Sequence, residues 1–422
     1  MEKRHIAGKL GGGIQTVERL HAELLADLGH EVLFLTTSDS DDAVFPDRPE
    51  IKIVKLSAGS EESYEVAGEV TKQEKGRLNK LKTAEIRATI KQLEPEAIIN
   101  HSFSSSHVKL CAELSKTIPV LCVIHNTPET AGDMSMFAKL QGYRDMTLNG
   151  STLVCVSKHQ RDMWRKLIHR RYQSGSEHFA FIKSDEEIDR IFDKVCYSTA
   201  INSLAPKAEA PDDYFMVIGR PEKDKNIGKL LEGMTFMANP PKVKVYIAFG
   251  GNLEDYEYYN EQIKPHRDTL DNRHPGLVNF CCNSPRKELL QDLSKARGLF
   301  VTCPVESSPV APLEAGTYGV PSLVFCKTLR DGTVHHACFD TLGKDYFIPV
   351  LLSRKQEFGD ALTAAVADPR LNDLEERGKI QREVMTRHAR SVRISELNKT
   401  LWDTMERYAE VEKVSINSLL SF

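Results

Sequence analysis

Hydrophobic positions along this chain switch repeatedly between two periods. After a glycine-rich turn, Gly8 to Gly13, the apolar residues Ile14, Val17, Leu20, Leu24, Leu25 and Leu28 recur at the spacing of one helix face. Gly29 then stands where a helix would close in the left-handed conformation, so a helix is predicted from about Ile14 to Gly29. Glu31–Thr36 and Ile51–Leu56 follow as short β-leaning apolar runs. Glycine turn, helix and buried strand form the repeating unit of an α/β sheet.

The same pattern yields strand candidates at Ala97–Asn100, Val120–Ile124 and Thr152–Val156. A polar segment holding Pro206 and Pro211 interrupts it, and it begins afresh at Tyr214–Ile218. Lys244–Phe249, Leu277–Cys281, Gly298–Thr302 and Ser322–Phe325 continue it, with helices such as Arg286–Ala296 between them. Two doubly wound sheets are therefore expected, in domains 1–205 and 206–390. Residues 391–422 read as a helix, with Leu397, Leu401, Met405 and Tyr408 on one face, expected to pack back on the N-terminal domain.

A length of 422 residues agrees with two cores rather than one. With 41% hydrophobic and 27% charged residues, the composition excludes fibrous and disordered classes. No apolar run is long enough to cross a bilayer, and Met1–His5 lacks the apolar core of a secretory signal, so a cytosolic protein is expected. The nine cysteines include the adjacent Cys281–Cys282 but no CxxC pair, which argues for buried thiols over disulfides or zinc.

The net charge of −4 hides two basic stretches. Lys72–Lys91 holds seven Lys or Arg against two acids, and Lys158–Lys183 has the same balance.

Ligands of open α/β sheets bind beyond the carboxyl ends of the strands, which directs attention to four places. Gly11, Gly12 and Gly13 form a turn before a helix, where backbone amides and the helix dipole suit an anion; many such turns bind nothing. Gly219-Arg220 and Lys225 follow a predicted strand, and two cations there can clamp a diphosphate; an ordinary solvated turn fits the same residues. Glu306 and Glu314 flank Pro309 and Pro312, which suit a helix start and would aim the amides of Val310 and Ala311 at a ligand. Carboxylates accept hydrogen bonds from paired hydroxyls, which favours sugar or ribose over phosphate. His125 ends the strand Val120–Ile124, where it can orient a hydroxyl or share a developing charge; a purely structural histidine is the plainer alternative.

Together these residues resemble the retaining glycosyltransferases of the GT-B fold, in particular the GT4 family. The likeness rests on Gly11–Gly13, on Leu24–Leu35 with Gly29-His30-Glu31-Val32, on Arg220 with Lys225, and on Glu306 with Glu314. The resemblance implies two Rossmann-like domains facing a central cleft. It also implies a nucleotide-sugar donor as co-substrate, its diphosphate held by Arg220 and Lys225. Glu314 would bind the ribose and Glu306 the transferred sugar. Catalytic roles fall to His125, Arg220, Lys225 and Glu306, with the leaving diphosphate helping to deprotonate the acceptor. No cofactor or metal is expected, and Asp39-Ser-Asp41, a mimic of a metal-binding DxD, reads as a solvated turn. Two departures are visible: Tyr197–Asn202 lacks the usual Asn-Gly turn, and Lys327–His336 replaces a glycine-rich one.

For the acceptor, Lys158, Arg161, Arg165, Lys166, Arg170 and Arg171 mix with Trp164, Tyr172, Phe179 and Phe181. That composition suits a polyanion whose bases stack on aromatics; a solvated helix with core aromatics fits as well. It favours DNA, as for a phage enzyme glycosylating hydroxymethylated bases in the host cytoplasm, over an anionic lipid or polysaccharide precursor. A non-catalytic nucleotide-sugar binder and a GT-B epimerase remain alternatives.

Overall fold

A computed structural model of the chain describes residues 13–36, 45, 48–56, 72–101, 104–125, 128, 133–175, 177–195, 209–304, 306, 309–328 and 334–420. The chain divides into two compact units, one within Ile14–Ser198 together with Arg393–Phe422, the other containing Thr199–Val392.

In the first unit, the helix Gly13–Asp27 closes with a Schellman motif. Gly29 has φ +85°, its N–H donates to the Ala26 carbonyl at 2.9 Å, and His30 N–H donates to that of Leu25 at 3.1 Å. Strands β1 (Val32–Thr36) and β2 (Ile51–Lys55) pair in parallel. A second parallel sheet runs β3 (Ile98–Asn100), β4 (Val120–Ile124), β5 (Thr152–Cys155), β6 (Lys194–Val195). Two separate sheets thus stand among the described residues where sequence predicts one.

Strand β4 is buried along its whole length because both faces are covered. Val120, Cys122 and Ile124 point into a cluster with Tyr143, Trp164 and Phe192, while Leu121 meets Leu24, Val154 and Leu397 on the other face. Leu397 belongs to the helix Arg390–Leu420. Further along it, Thr404 Oγ1 donates to Thr152 Oγ1 at 2.8 Å and Asp403 pairs with Lys194.

The second unit is built on strands β7 (Phe215–Gly219), β8 (Val243–Ile247), β9 (Val278–Cys282), β10 (Gly298–Val301), β11 (Ser322–Thr328), β12 (Val334–His335) and β13 (Phe347–Leu351). Its parallel order is β9-β8-β7-β10-β11-β13, with β12 antiparallel on the end of β11. This is the strand order of a dinucleotide-binding sheet, and its direction of winding reverses between β7 and β10. Strand β13 escapes sequence reading because Pro349 interrupts it; among the described residues the strand pairs only with β11, and a sheet edge tolerates the missing N–H.

Candidate functional site

The crevice between β7 and β10 brings two of the predicted residues together. Lys225 Nζ lies 3.2 Å from Glu306 Oε2, each side chain roughly a quarter exposed or less. Lys225 sits in the single helical turn Lys223–Lys225 after β7, and Asn226, with φ +55°, turns the chain into the helix Ile227–Met234. Gly219 leaves room for that turn, since a Cβ there would meet Lys225 Cβ at 3.3 Å. Thr302, just beyond β10, accepts from Asn226 Nδ2 at 3.3 Å and donates its hydroxyl to the Lys225 carbonyl. The Glu306 carboxylate holds the Lys225 ammonium above its ordinary range, against the opposing effect of burial.

Arg220 is occupied locally: Nη1 is 2.8 Å from Glu222 and Nη2 3.6 Å from Asp224. The helix Val310–Thr317 has Pro309 as its N-cap. Val310 and Ala311 are its first two residues, whose amides no carbonyl of the same helix reaches. Glu314 lies in its second turn, paired with Arg286. Sequence reasoning passed over Arg286, and also His336. The latter is 1% exposed, accepts from Cys338 N–H at 3.1 Å, and donates through Nε2 to the Cys303 carbonyl at 2.8 Å. It thereby ties the loop leading to Glu306 to the helix Ala337–Leu342.

In the first unit, His125 at the end of β4 belongs to a cluster of three histidines. Its Nε2 is 2.9 Å from Nδ1 of His101, which follows β3, and the rings stack at 5.2 Å. His21, on the helix Gly13–Asp27, packs on His101 at 4.9 Å. Among the described residues its buried Nδ1 has no hydrogen-bond partner. Burial pushes His21 down to about 4 and His125 to about 3, and His101 is also held well below its ordinary value, so the cluster is neutral near pH 7. Periodicity masks such a site, because its members come from three separate elements. Gly11, Gly12, Asp39–Asp41 and the Tyr197–Asn202 segment lie outside the described residues, and Gly13 begins the first helix.

The basic segment Lys158–Lys183 requires a correction. Trp164 is 2% exposed and stacks on Phe192 at 5.9 Å, and Phe179 is also buried. These aromatics complete the core beneath β4 and β5 and are not available to stack on bases. Tyr172 packs against the same core and donates its hydroxyl to the Lys183 carbonyl. Arg165 pairs with Asp189 and Arg161 with Asp162, while Arg171 is half-buried. Lys158, Lys166 and Arg170 remain exposed. In the other basic stretch, Lys80 and Arg87 line a groove of about 450 Å³ with Lys109, and Arg87 pairs there with Glu113.

Among the described residues, no helix is long and apolar enough to cross a membrane.

Residues 11–172 match the family model Glycosyltransferase Family 4. No curated protein matches the chain in sequence. Solved structures similar to it include sucrose-phosphate synthase from Thermosynechococcus elongatus, at 15% identity and a TM-score of 0.64, covering 94% of this chain and 95% of that one. HepE of Anabaena in complex with UDP-glucose is similar at 11% identity and a TM-score of 0.63, covering 94% and 97%. The lipopolysaccharide outer core galactosyltransferase WaaB is similar at 12% identity and 0.54, with the same coverage. These likenesses define the fold as GT-B, with two Rossmann-like units.

Proposed function

We propose that this protein is a retaining glycosyltransferase that moves a sugar from a nucleotide-sugar to a hydroxyl acceptor. The observation that carries the reading is the Lys225–Glu306 pair at the winding reversal of the second sheet. A lysine there offers its charge to a departing diphosphate, and a carboxylate beside it accepts from sugar hydroxyls. Each group neutralises the other until a donor arrives to exchange partners with both. Arg220 adds a second cation within the same turn, and the amides of Val310 and Ala311 are placed as further donors. His125, neutral and bonded to His101, serves to orient a hydroxyl. The departing diphosphate takes the acceptor proton, so the chemistry needs neither a resident metal nor a general-base carboxylate.

Structures of similar fold contain UDP-glucose or UDP, which makes uridine nucleotides the first donors to test. The acceptor is anionic in this reading, since Lys158, Lys166 and Arg170 remain exposed. A hydroxymethylated DNA base stays within it only through these cations, because burial of Trp164 removes the stacking surface.

The test is a thermal-stabilisation screen of nucleotide-sugars, followed by donor hydrolysis and transfer assays. Acceptor arms contain modified or unmodified duplex DNA and anionic lipid vesicles. Lys225→Ala and Glu306→Gln are each expected to lower turnover by about a hundredfold or more. Wild-type turnover in both variants would remove this pair from the mechanism.

A further inference from the structure

Glu314, the carboxylate assigned to the donor ribose, does not act alone. Its Oε1 is hydrogen-bonded and ion-paired to Nη2 of Arg286, the first residue of the helix Arg286–Lys295. Glu314 is 15% exposed and Arg286 is 44% exposed, so the carboxylate lies inside and the guanidinium covers it. The two residues leave the sheet at different places: Arg286 follows β9 and Glu314 follows β10, with β8 and β7 between those strands. Leu289 and Leu293 of the Arg286 helix share one core cluster with Leu313 and Ala315 of the Glu314 helix, so the contact joins two neighbouring helices that both start at the carboxyl ends of the strands.

Arg286 is placed by a fixed turn. Asn283, at φ +48°, donates its N–H to the Ile247 carbonyl at 2.9 Å, and its Oδ1 accepts from Phe249 N–H at 2.9 Å. The loop before the arginine is thus pinned to the end of β8. The Glu314 charge is the main cause that holds the Arg286 guanidinium above its ordinary range, and it also adds to burial in raising the phenol of Tyr318.

We propose that Arg286 is the positioning residue through which Glu314 selects a ribonucleotide donor, an inference that rests on the donor site proposed above. With one oxygen committed to the guanidinium, the carboxylate cannot rotate freely and presents its other oxygen to a ribose hydroxyl. The guanidinium also cancels a negative charge that would otherwise repel the donor diphosphate. Removing Arg286 releases the carboxylate and exposes its charge. The first effect depends on the ribose hydroxyls; the second does not.

The test titrates UDP, 2′-deoxy-UDP and 3′-deoxy-UDP by calorimetry into the full chain as wild type, Arg286→Ala and Arg286→Lys. If another nucleoside diphosphate stabilises the protein more, that nucleotide and its deoxy forms take their place. Wild type is expected to favour the ribonucleotide over at least one deoxy form by about tenfold or more. Arg286→Ala narrows this to within about threefold, chiefly by weakening the ribonucleotide, and Arg286→Lys falls between. In turnover, Arg286→Ala raises the donor KM about tenfold while kcat changes less than about threefold, a split that general loss of structure does not produce. If Arg286→Ala fails to fold, Arg286→Lys and Arg286→Gln carry the same comparison. An unchanged ribose preference, or equal weakening of all three nucleotides, overturns the proposal. If wild type binds no nucleoside diphosphate, the donor reading falls and this inference with it. If Lys225→Ala abolishes binding while Arg286→Ala keeps the full ribose preference, this inference alone falls.

Discussion

Thr302 fixes Lys225 through the backbone: its hydroxyl donates to the Lys225 carbonyl, and its own carbonyl accepts from Asn226 at 3.3 Å. The ammonium that faces Glu306 is therefore held by a neighbouring strand end. Thr302 is 4% exposed, so Thr302→Val keeps the packing shape while leaving the carbonyl short of a donor. The expected loss of stability is about 1–3 kcal/mol, read by urea denaturation. Donor KM is expected to rise several-fold alongside it. A variant with unchanged KM would show that the turn holds its shape without the hydroxyl.

Gly150 offers a test of packing in the first unit. It has φ +80°, and a Cβ there would meet Tyr408 Cα at 2.7 Å and the Arg407 carbonyl at 2.9 Å. Gly150→Ala is expected to cost about 3 kcal/mol or more, since strain and a backbone collision act together. Gly175 is the control: at φ +67° it has nothing within 4 Å of the added atom. Gly175→Ala is expected to cost about 1 kcal/mol, from strain alone. Equal losses at the two sites would contradict the close approach.

The histidine cluster makes the stability of the first unit depend on pH. The folded values of His21, about 4, and His125, about 3, lie below the ordinary 6.5, so the unfolded chain binds protons first as pH falls. Stability is full above about 6.5 and is lost as pH drops toward these folded values. Glu18 opposes this, because burial raises it to about 7 and its effect weakens the fold as pH rises from 4.5. Burial also lowers His107 to about 4 and raises Glu396, so four lowered histidines stand against two raised carboxylates and the first unit should weaken between pH 6.5 and 5. Urea midpoints followed by tryptophan fluorescence measure it, and substitution of His21 by Gln should flatten the slope. A midpoint independent of pH would argue against the neutral cluster.

Core and surface roles in the basic segment separate by mutation. Trp164→Ala is expected to destabilise by about 3–5 kcal/mol, as loss of a large buried ring does. Joint replacement of Lys166 and Arg170 by Glu should leave stability within about 0.5 kcal/mol while weakening any polyanion binding, most at low salt. Binding that falls with Trp164→Ala at constant stability would return the ring to the surface.

Sequence pattern carried much of this fold, for reasons that individual elements make clear. Val120–Ile124 is legible because a strand covered on both faces is apolar throughout. The first helix is legible because its apolar spacing and Gly29 agree. Lys225 and Glu306 drew attention by following strands, although only the folded sheet brings residues separated by 81 positions within 3.2 Å. Trp164 misled, since a ring on a basic helix reads alike whether it faces solvent or core. Arg286 and His101 stayed hidden because neither belongs to a local pattern; each becomes informative only beside a partner from another strand.

The helix from Arg390 to Leu420 also sets an order of events during synthesis. Thr404 bonds to Thr152, a partner made 252 residues earlier, and Leu397 fills the face behind β4 and β5. As the chain leaves the ribosome, that face has only Leu20, Leu24 and Leu25 of the first helix to cover it, and the share taken by Leu397 stays open while the second unit is translated. The unit begun first is therefore completed last, and its apolar rear surface is where a chaperone would find the nascent chain.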